Sequence, residues 1–174
     1  FAKDNGIKYE PDQVVVSNGA KHSIFNAIFA LCGEKDEVLI PAPYWLSYPE
    51  MVRLAGAKPV ILETKEATEF KIDPEALRKA ITPKTKLLLL NSPSNPTGVI
   101  YRQEELNAIA QIVLEKKILV LSDEIYSEML FDGEKFASIS FSDPKIVDQL
   151  ILVNGVSKTY AMTGWRIGYL AAPK

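Results

Sequence analysis

The chain has 174 residues, a length that predicts one domain with a sizeable hydrophobic core. Charged residues make up 24% and the formal net charge is -2, which argues against a nucleic-acid-binding surface. No apolar run approaches the ~20 residues that cross a bilayer, and the polar start is unlike a signal peptide. The single cysteine, Cys32, excludes an internal disulfide, so we expect a cytoplasmic protein without a membrane partner.

Seven short apolar runs alternate with segments of helical periodicity. The runs predict strands at 14–17, 37–40, 58–62, 86–90, 118–122, 150–154 and 166–171. Strands that are apolar on both faces and separated by helices are typical of a parallel sheet covered on both sides. The sequence therefore predicts an α/β fold.

Helical signals lie between these runs. Apolar residues recur at helical spacing in 20–32 and 103–114. Asp73 is the expected N-cap of a further helix, with Pro74 at its first position. Residues 132–148 contain Gly, Pro, Ser and Asp, which indicates a loop with one short helix.

Residues that follow the predicted strands are candidate site residues, because ligands bind at the carboxyl ends of strands in open α/β sheets. Gly19, Ala20 and Lys21 open the first helix, where backbone amides can hold an anion. Asp123 follows an apolar strand, so its carboxylate needs a cation or a hydrogen-bond donor. Singly, such residues are more often turns, caps or ion pairs.

The other strand ends supply complementary groups: the Lys158 amine, the Tyr126 phenol, the Asn95 amide, the Trp45 ring and the Arg166 guanidinium. Each alone has an ordinary structural explanation, such as packing, a turn or a surface ion pair. Together with a carboxylate and an anion cradle, they describe a site for pyridoxal phosphate. We interpret the remaining candidates for chemistry, His22 and Cys32, as structural.

Five stretches carry a family resemblance: "SNGAK", "PAPYWLSYPEMV", "NSPSNPTGVIY", "SDEIYSEMLFDG" and "SKTYAMTGWRIGY". In this order, over residues 17–169, the chain resembles the large domain of class I, fold-type I aminotransferases, and is closest to the bacterial aspartate aminotransferase subgroup. The resemblance implies a three-layer αβα fold with a seven-stranded, mostly parallel sheet, in which 166–171 runs antiparallel. It also implies cis peptide bonds at Asn95–Pro96 and Ala42–Pro43.

The resemblance assigns roles residue by residue. Lys158 would be the Schiff-base lysine, Asp123 the partner of the pyridine nitrogen and Tyr126 a ligand of the phenolic oxygen. Asn95 would bind that oxygen and the substrate carboxylate, and Trp45 would stack on the ring and line the substrate site. No role falls to a metal.

The phosphate would be held by the turn and helix start of Gly19, Ala20 and Lys21, and by Ser157 and Arg166. One departure concerns the hydroxyl that many family members have three residues before the lysine. That position is Gly155 here, and Ser157 is our candidate for the missing hydroxyl.

The implied domain spans 1–174 and is a pyridoxal-phosphate-binding large domain, with the family's N-terminal arm and C-terminal small domain outside it. In the family, residues from a second subunit complete the site, so we expect a homodimer at full length. Because the small domain supplies the arginine that binds the substrate carboxylate, we expect the isolated chain to be inactive. The expected reaction moves an amino group between an L-amino acid, with aspartate preferred, and a 2-oxo acid.

Three alternatives stay open: another class I aminotransferase or a carbon–sulfur lyase, a pyridoxal-phosphate-sensing domain of a transcription regulator, and a fragment that binds no cofactor. The residues that would separate the enzymes belong to the arm and the small domain. A winged-helix segment upstream would indicate the regulator.

Overall fold

The computed structural model describes residues 7–174, so the first residues of the predicted domain, 1–6, lie outside the described part. Seven strands form a single sheet. They are β1 (Val14–Ser17), β2 (Glu37–Pro41), β3 (Lys58–Leu62), β4 (Thr85–Asn91), β5 (Leu119–Asp123), β6 (Leu150–Gly155) and β7 (Gly168–Ala171). Their spatial order is β1-β7-β6-β5-β4-β2-β3, which places β5 at the centre.

The sheet is mostly parallel, as expected. Strands β2 to β6 pair in parallel wherever they are neighbours. Strand β7 runs antiparallel to both β6 and β1, which confirms the expected direction of the last strand. Its predicted start at residue 166 is wrong, because Thr163–Trp165 form a 3-10 turn and Arg166 has a left-handed backbone (φ 54°).

Five helices connect the strands: α1 (Ala20–Leu31), α2 (Ser47–Leu54), α3 (Pro74–Ala80), α4 (Gln103–Lys116) and the single turn α5 (Val156–Thr159). The predicted cap of α3 is confirmed, because the Asp73 side chain accepts a hydrogen bond from the Glu75 amide at 2.9 Å. The sequence did not predict α2, which contains Pro49. Residues 132–148 contain two 3-10 helices, Ile139–Phe141 and Pro144–Gln149, rather than one helix.

Two hydrophobic cores lie on opposite faces of the sheet. Leu87 of β4 and Leu121 of β5 pack with α1 and α2, whereas their neighbours Leu88 and Val120 pack with α3 and α4. Successive side chains of a strand point to opposite faces, so an unbroken apolar run fills both cores. The fold is therefore the expected three-layer αβα arrangement. Cys32, at the end of α1, is buried in one of these cores as a free thiol.

The loops at the carboxyl ends of β2 and β4 contain three cis peptide bonds. Two of them, Ala42–Pro43 and Asn95–Pro96, are the expected ones, and the third, Ser92–Pro93, was not predicted. None of the helices formed by residues 7–174 combines the length and the hydrophobicity needed to cross a membrane.

Candidate active site

A cleft of about 340 Å³ lies at the carboxyl ends of the central strands. Nine of the ten predicted site residues line it, and the tenth, Gly19, lies directly behind Arg166. The lining residues are Ala20, Lys21, Ile24, Trp45, Tyr48, Asn91, Asn95, Asp123, Ile125, Tyr126, Ser157, Lys158, Thr163 and Arg166. The fold thus brings together groups from five separate sequence stretches.

Asp123, the last residue of β5, is the buried carboxylate of the cleft. Its Oδ2 accepts a hydrogen bond of 2.6 Å from the Tyr48 hydroxyl, and its Oδ1 accepts a longer one, 3.3 Å, from the Ile125 amide. None of the ion pairs formed by residues 7–174 includes it. Burial raises the pKa of Asp123 to about 6, although the two hydrogen bonds oppose the rise.

Tyr48 is a site residue that the sequence reasoning missed. It lies on α2, is 2% exposed, and packs edge-on against Trp45 with ring centroids 5.4 Å apart. The Lys21 ammonium lies 4.9 Å from the Trp45 ring centroid, in a cation–π contact. Because the Tyr48–Asp123 bond joins residues 75 positions apart, only the three-dimensional fold reveals it.

Asn91, at the end of β4, was also missed. Its side-chain amide donates to the backbone oxygen of Asp123 at 2.9 Å and accepts from the Asn95 amide at 2.8 Å. Asn91 therefore ties the proline-rich loop to the end of β5. Burial and then the Asp123 charge raise the pKa of Tyr126, while the Asn95 side chain lowers it.

Lys158 is half-buried on the single-turn helix α5, immediately after β6. Its Nζ lies 5.7 Å from the centroid of the Tyr126 ring. The preceding residue, Ser157, is buried and also lines the cleft. The strand-to-helix junction thus presents an amine and a hydroxyl to the same space.

An anion cradle forms at the start of α1. The first backbone bond of this helix runs from His22 to the Gly19 oxygen, so the amides of Ala20 and Lys21 have no intrahelical acceptor. Gly19 has φ 85°, and a side chain there would overlap the Arg166 guanidinium. A glycine is therefore required on two grounds, backbone conformation and space.

The Arg166 guanidinium is held by backbone oxygens instead of carboxylates. Its Nη1 donates to Thr163 O at 3.0 Å and its Nη2 to Asn18 O at 3.4 Å. No ion pair of the described residues contains Arg166, so the surface ion pair considered as its ordinary explanation is not formed in that part of the chain. Its charge remains available to an anion beside α1.

Crowding around Gly155 gives a structural reason for the departure seen there. A Cβ atom at this position would lie 2.9 Å from Ile167 O and 3.1 Å from the Gly168 Cα. A serine at 155 would therefore require β7 to move. After β6, the chain presents two residues with hydroxyl groups to the cleft, Ser157 and Thr163, and Ser157 is the one next to Lys158.

The charges that line the cleft are unequal. Three side chains are cationic, Lys21, Lys158 and Arg166, and a single one, Asp123, is a carboxylate. The cationic groups and the helix start favour an anionic ligand, whereas Asp123 requires a positively charged or donor atom opposite it. A complementary ligand therefore carries an anionic group and also a positively charged or hydrogen-bond-donating atom.

Comparisons with known proteins identify the family of the chain. The family model described as aminotransferase class I and II matches residues 1–174. The chain is 52% identical to the aspartate aminotransferase of Geobacillus stearothermophilus over 174 residues, which are 100% of this chain and 44% of that protein.

Solved structures show the same fold. The aspartate aminotransferase of Thermus thermophilus with maleate is similar at a TM-score of 0.94 and 44% identity, over 99% of this chain and 44% of that one. The enzyme of Rhizobium meliloti is similar at a TM-score of 0.97 and 41% identity, over the same shares. The chain thus spans less than half the length of these relatives. It belongs to the class I and II aminotransferase family.

Proposed function

We propose that this chain is the cofactor-binding part of a pyridoxal-phosphate-dependent aminotransferase that acts on L-aspartate and a 2-oxo acid. The observation that carries the proposal is the buried Asp123 carboxylate, which faces a cleft containing Lys158 and an anion cradle and has no cation paired to it among residues 7–174. Aspartate as the amino donor is supported by relatives named aspartate aminotransferase.

The donor set fits pyridoxal phosphate. Asp123 is 4% exposed, and burying a carboxylate costs free energy unless a cation or donor compensates it. A protonated ring nitrogen of the cofactor would be such a partner. The Ala20 and Lys21 amides and the Arg166 guanidinium match a phosphate, and Lys158 offers a primary amine to an aldehyde.

Each part of the cofactor would then have its own protein group. Trp45 would cover the ring, and Tyr126 and Asn95 would hold the phenolic oxygen. Ser157 would add a hydroxyl to the phosphate cradle, and Gly19 would leave space there for the Arg166 guanidinium. Asn95 and Trp45 would also border the substrate. When bound, the cofactor supplies an electron sink for the carbanion at the substrate Cα.

The chain's own residues account for the remaining chemistry. Lys158 would hold the cofactor through its amine, and the same amine, when free, would be the base that takes the proton from the substrate Cα. The Asp123 charge would favour a proton on the ring nitrogen of the cofactor. Tyr126 would donate a hydrogen bond to the phenolic oxygen of the cofactor, and its raised pKa keeps the phenol protonated near neutral pH. Lys158, Asp123 and Tyr126 are the proposed catalytic residues.

The assembly and location complete the proposal: a homodimer in the cytoplasm, with amino-acid and 2-oxo-acid substrates. A relative from Petunia hybrida, 52% identical over 173 residues, is named a bifunctional aspartate aminotransferase and glutamate/aspartate-prephenate aminotransferase. Acidic amino donors and larger 2-oxo acids are therefore the first substrates to test.

Covalent trapping tests the proposal. The chain is incubated with pyridoxal phosphate, reduced with borohydride and digested, and modified lysines are mapped by mass spectrometry. We expect one main modified peptide, which contains Lys158 and is lost in Lys158→Ala. Lys79→Ala, which removes an exposed lysine of α3, is the matched control and should retain the peptide. Equal modification of many lysines, or of none, would contradict the proposal.

A further inference from the structure

The Tyr48 hydroxyl points to a role beyond packing. Its ring is 2% exposed and lies in the core formed by α1, α2 and the sheet, beside Met51 and Val52. A phenylalanine would fill the same space without burying a hydroxyl, which costs free energy unless the group is hydrogen-bonded. The Tyr48 hydroxyl bonds to Asp123, at 2.6 Å. Its one polar atom is thus committed to the carboxylate of the cleft.

The two oxygens of Asp123 are unequally occupied. Oδ2 accepts the short bond from Tyr48, whereas Oδ1 accepts the bond of 3.3 Å from the Ile125 amide. A carboxylate has about four lone-pair positions, so Oδ1 keeps acceptor capacity. The hydrogen bond therefore fixes the orientation of the carboxylate and decides which oxygen is left for a ligand.

We propose that Tyr48 is a positioning residue that orients the Asp123 carboxylate, keeps it ionised, and leaves Oδ1 available to the ring nitrogen of the cofactor. The cofactor part of this inference rests on the proposed function. The part that concerns Asp123 rests on the hydrogen bond alone.

The electrostatic surroundings of Asp123 support this role. Burial raises the pKa of Asp123 to about 6, and the Tyr48 bond is the largest influence that lowers it. Burial and the Asp123 charge in turn raise the pKa of Tyr48 well above its usual value, so the phenol remains a donor. The other charged or titratable groups of the cleft are Lys21 of α1, Tyr126 after β5, Lys158 of α5 and Arg166 before β7.

The test measures the Asp123 carboxyl directly in the 174-residue chain without cofactor. Carboxyl-¹³C aspartate is incorporated, the Asp123 resonance is assigned by its loss in Asp123→Asn, and the midpoint of its titration is read. We expect a midpoint of about 6 in the unsubstituted chain. In Tyr48→Phe it should rise by about one pH unit, because a charge-assisted hydrogen bond to the ionised form is lost.

Two further variants keep the result interpretable. Placing 3-fluorotyrosine at position 48 preserves the size and the hydroxyl but makes it a stronger donor, so the Asp123 midpoint should fall. Tyr101→Phe removes another buried hydroxyl, which accepts a hydrogen bond from the Ile72 amide outside the cleft. It should leave the Asp123 midpoint unchanged, although it lowers stability.

Pyridoxal phosphate binding is measured in parallel as a function of pH. The acid limb of binding should move to higher pH in Tyr48→Phe by the same amount as the Asp123 midpoint. If Tyr48→Phe folds and its Asp123 midpoint equals that of the unsubstituted chain, the inference is wrong. If Tyr48→Phe does not fold, the inference is wrong when 3-fluorotyrosine at position 48 leaves the Asp123 midpoint unchanged. If that midpoint shifts but no variant binds pyridoxal phosphate, the role of Tyr48 toward Asp123 stands and the proposed function fails.

Discussion

Two buried carboxylates lie at opposite ends of the sheet and meet different surroundings. Glu37 is the first residue of β2 and is 8% exposed, and Asp123 is the last residue of β5 and is 4% exposed. Glu37 accepts from the Thr82 hydroxyl at 2.7 Å and from the Lys58 ammonium at 3.2 Å. Asp123 has no cation among the described residues and is compensated mainly by Tyr48.

The difference appears as opposite changes in acidity. The Thr82 and Lys58 hydrogen bonds lower the pKa of Glu37, whereas burial raises the pKa of Asp123 to about 6. Buried carboxylates are thus not alike. One whose partners are all supplied by the fold stabilises the fold, and one left incompletely compensated at the ligand-binding edge marks a functional site. Substitutions at the carboxyl edge should therefore impair chemistry without lowering stability, and substitutions at the amino edge should lower stability without impairing chemistry.

The largest effect is expected from Lys158→Ala. Loss of the amine should abolish covalent attachment of pyridoxal phosphate at this position and all measurable transamination, because the other lysine of the cleft, Lys21, lies at the start of α1 and not at the end of β6. The fold should persist, since the side chain is half-buried and forms no ion pair among residues 7–174. Visible absorbance and circular dichroism provide the two measurements. Unfolding of the variant would break the proposed separation between chemistry and stability.

Asp123→Asn comes next. At the full length of its relatives, the protein should lose at least about a hundredfold in kcat, because a neutral amide does not hold a proton on the ring nitrogen. The cofactor should remain attached through Lys158. Steady-state assays with aspartate and 2-oxoglutarate measure the loss. A rate within a few-fold of the original would show that the carboxylate is assigned the wrong role.

The same substitution should raise stability in a pH-dependent way. Asp123 has a pKa of about 6 when folded against 3.8 as a model group, so its ionisation costs stability progressively as pH rises through this window. Above pH 6 the cost is of the order of 3 kcal/mol. The amide that replaces the carboxyl carries no charge, so Asp123→Asn should be more stable than the original at pH 8 by up to this amount, with no such gain at pH 4.

Urea unfolding of both chains at the two pH values measures this difference. A gain of equal size at pH 4 and pH 8 would mean that packing, and not ionisation, causes it.

Glu37→Gln should give the smallest effect, and in the opposite direction. The pKa of Glu37 is lowered from 4.5, so its ionised form stabilises the fold above that pH, and this contribution is lost as pH falls through the lower, folded-state pKa. The variant should lose about 1 kcal/mol at pH 7, because a hydrogen-bonded charge is removed, and little at pH 3. Attachment of pyridoxal phosphate to Lys158 should be unchanged. Loss of attachment together with stability would contradict the contrast between the two edges.

The sequence predicted the seven strands, apart from the start of the last one, and it predicted that most of the candidate residues lie at one cleft. Apolar β-branched runs and the rule that ligands bind at strand carboxyl ends predicted the α/β sheet, and placed Asp123 and Lys158 on one edge of it. Helix α2 was not predicted, because Pro49 and the polar residues around it give no helical pattern. Tyr48, which α2 carries, was consequently missed.

The other two gaps have separate structural reasons. The residues next to Gly155 in the sequence do not show that Ile167 and Gly168 crowd it, so the reason for a glycine there is seen only in the folded chain. The start of the last strand was predicted two residues too early, because an arginine in the sequence does not predict the left-handed backbone that Arg166 adopts.

The position of β7 has a consequence for the order in which the cleft can be assembled. Among the seven strands, β1 is an edge strand whose neighbour is β7, so that Val14 pairs with Ala171. The backbone of Gly168 also lies against Gly19 and Ala20 at the start of α1. The anion cradle is therefore closed by contacts between residues near the two ends of the described chain, and contacts of such large sequence separation form only after the entropy of closing a long loop is overcome. During synthesis, Trp45, Asn95 and Asp123 leave the ribosome before Lys158, whereas the cradle is completed only after Arg166 and Gly168, which follow Lys158, have been added.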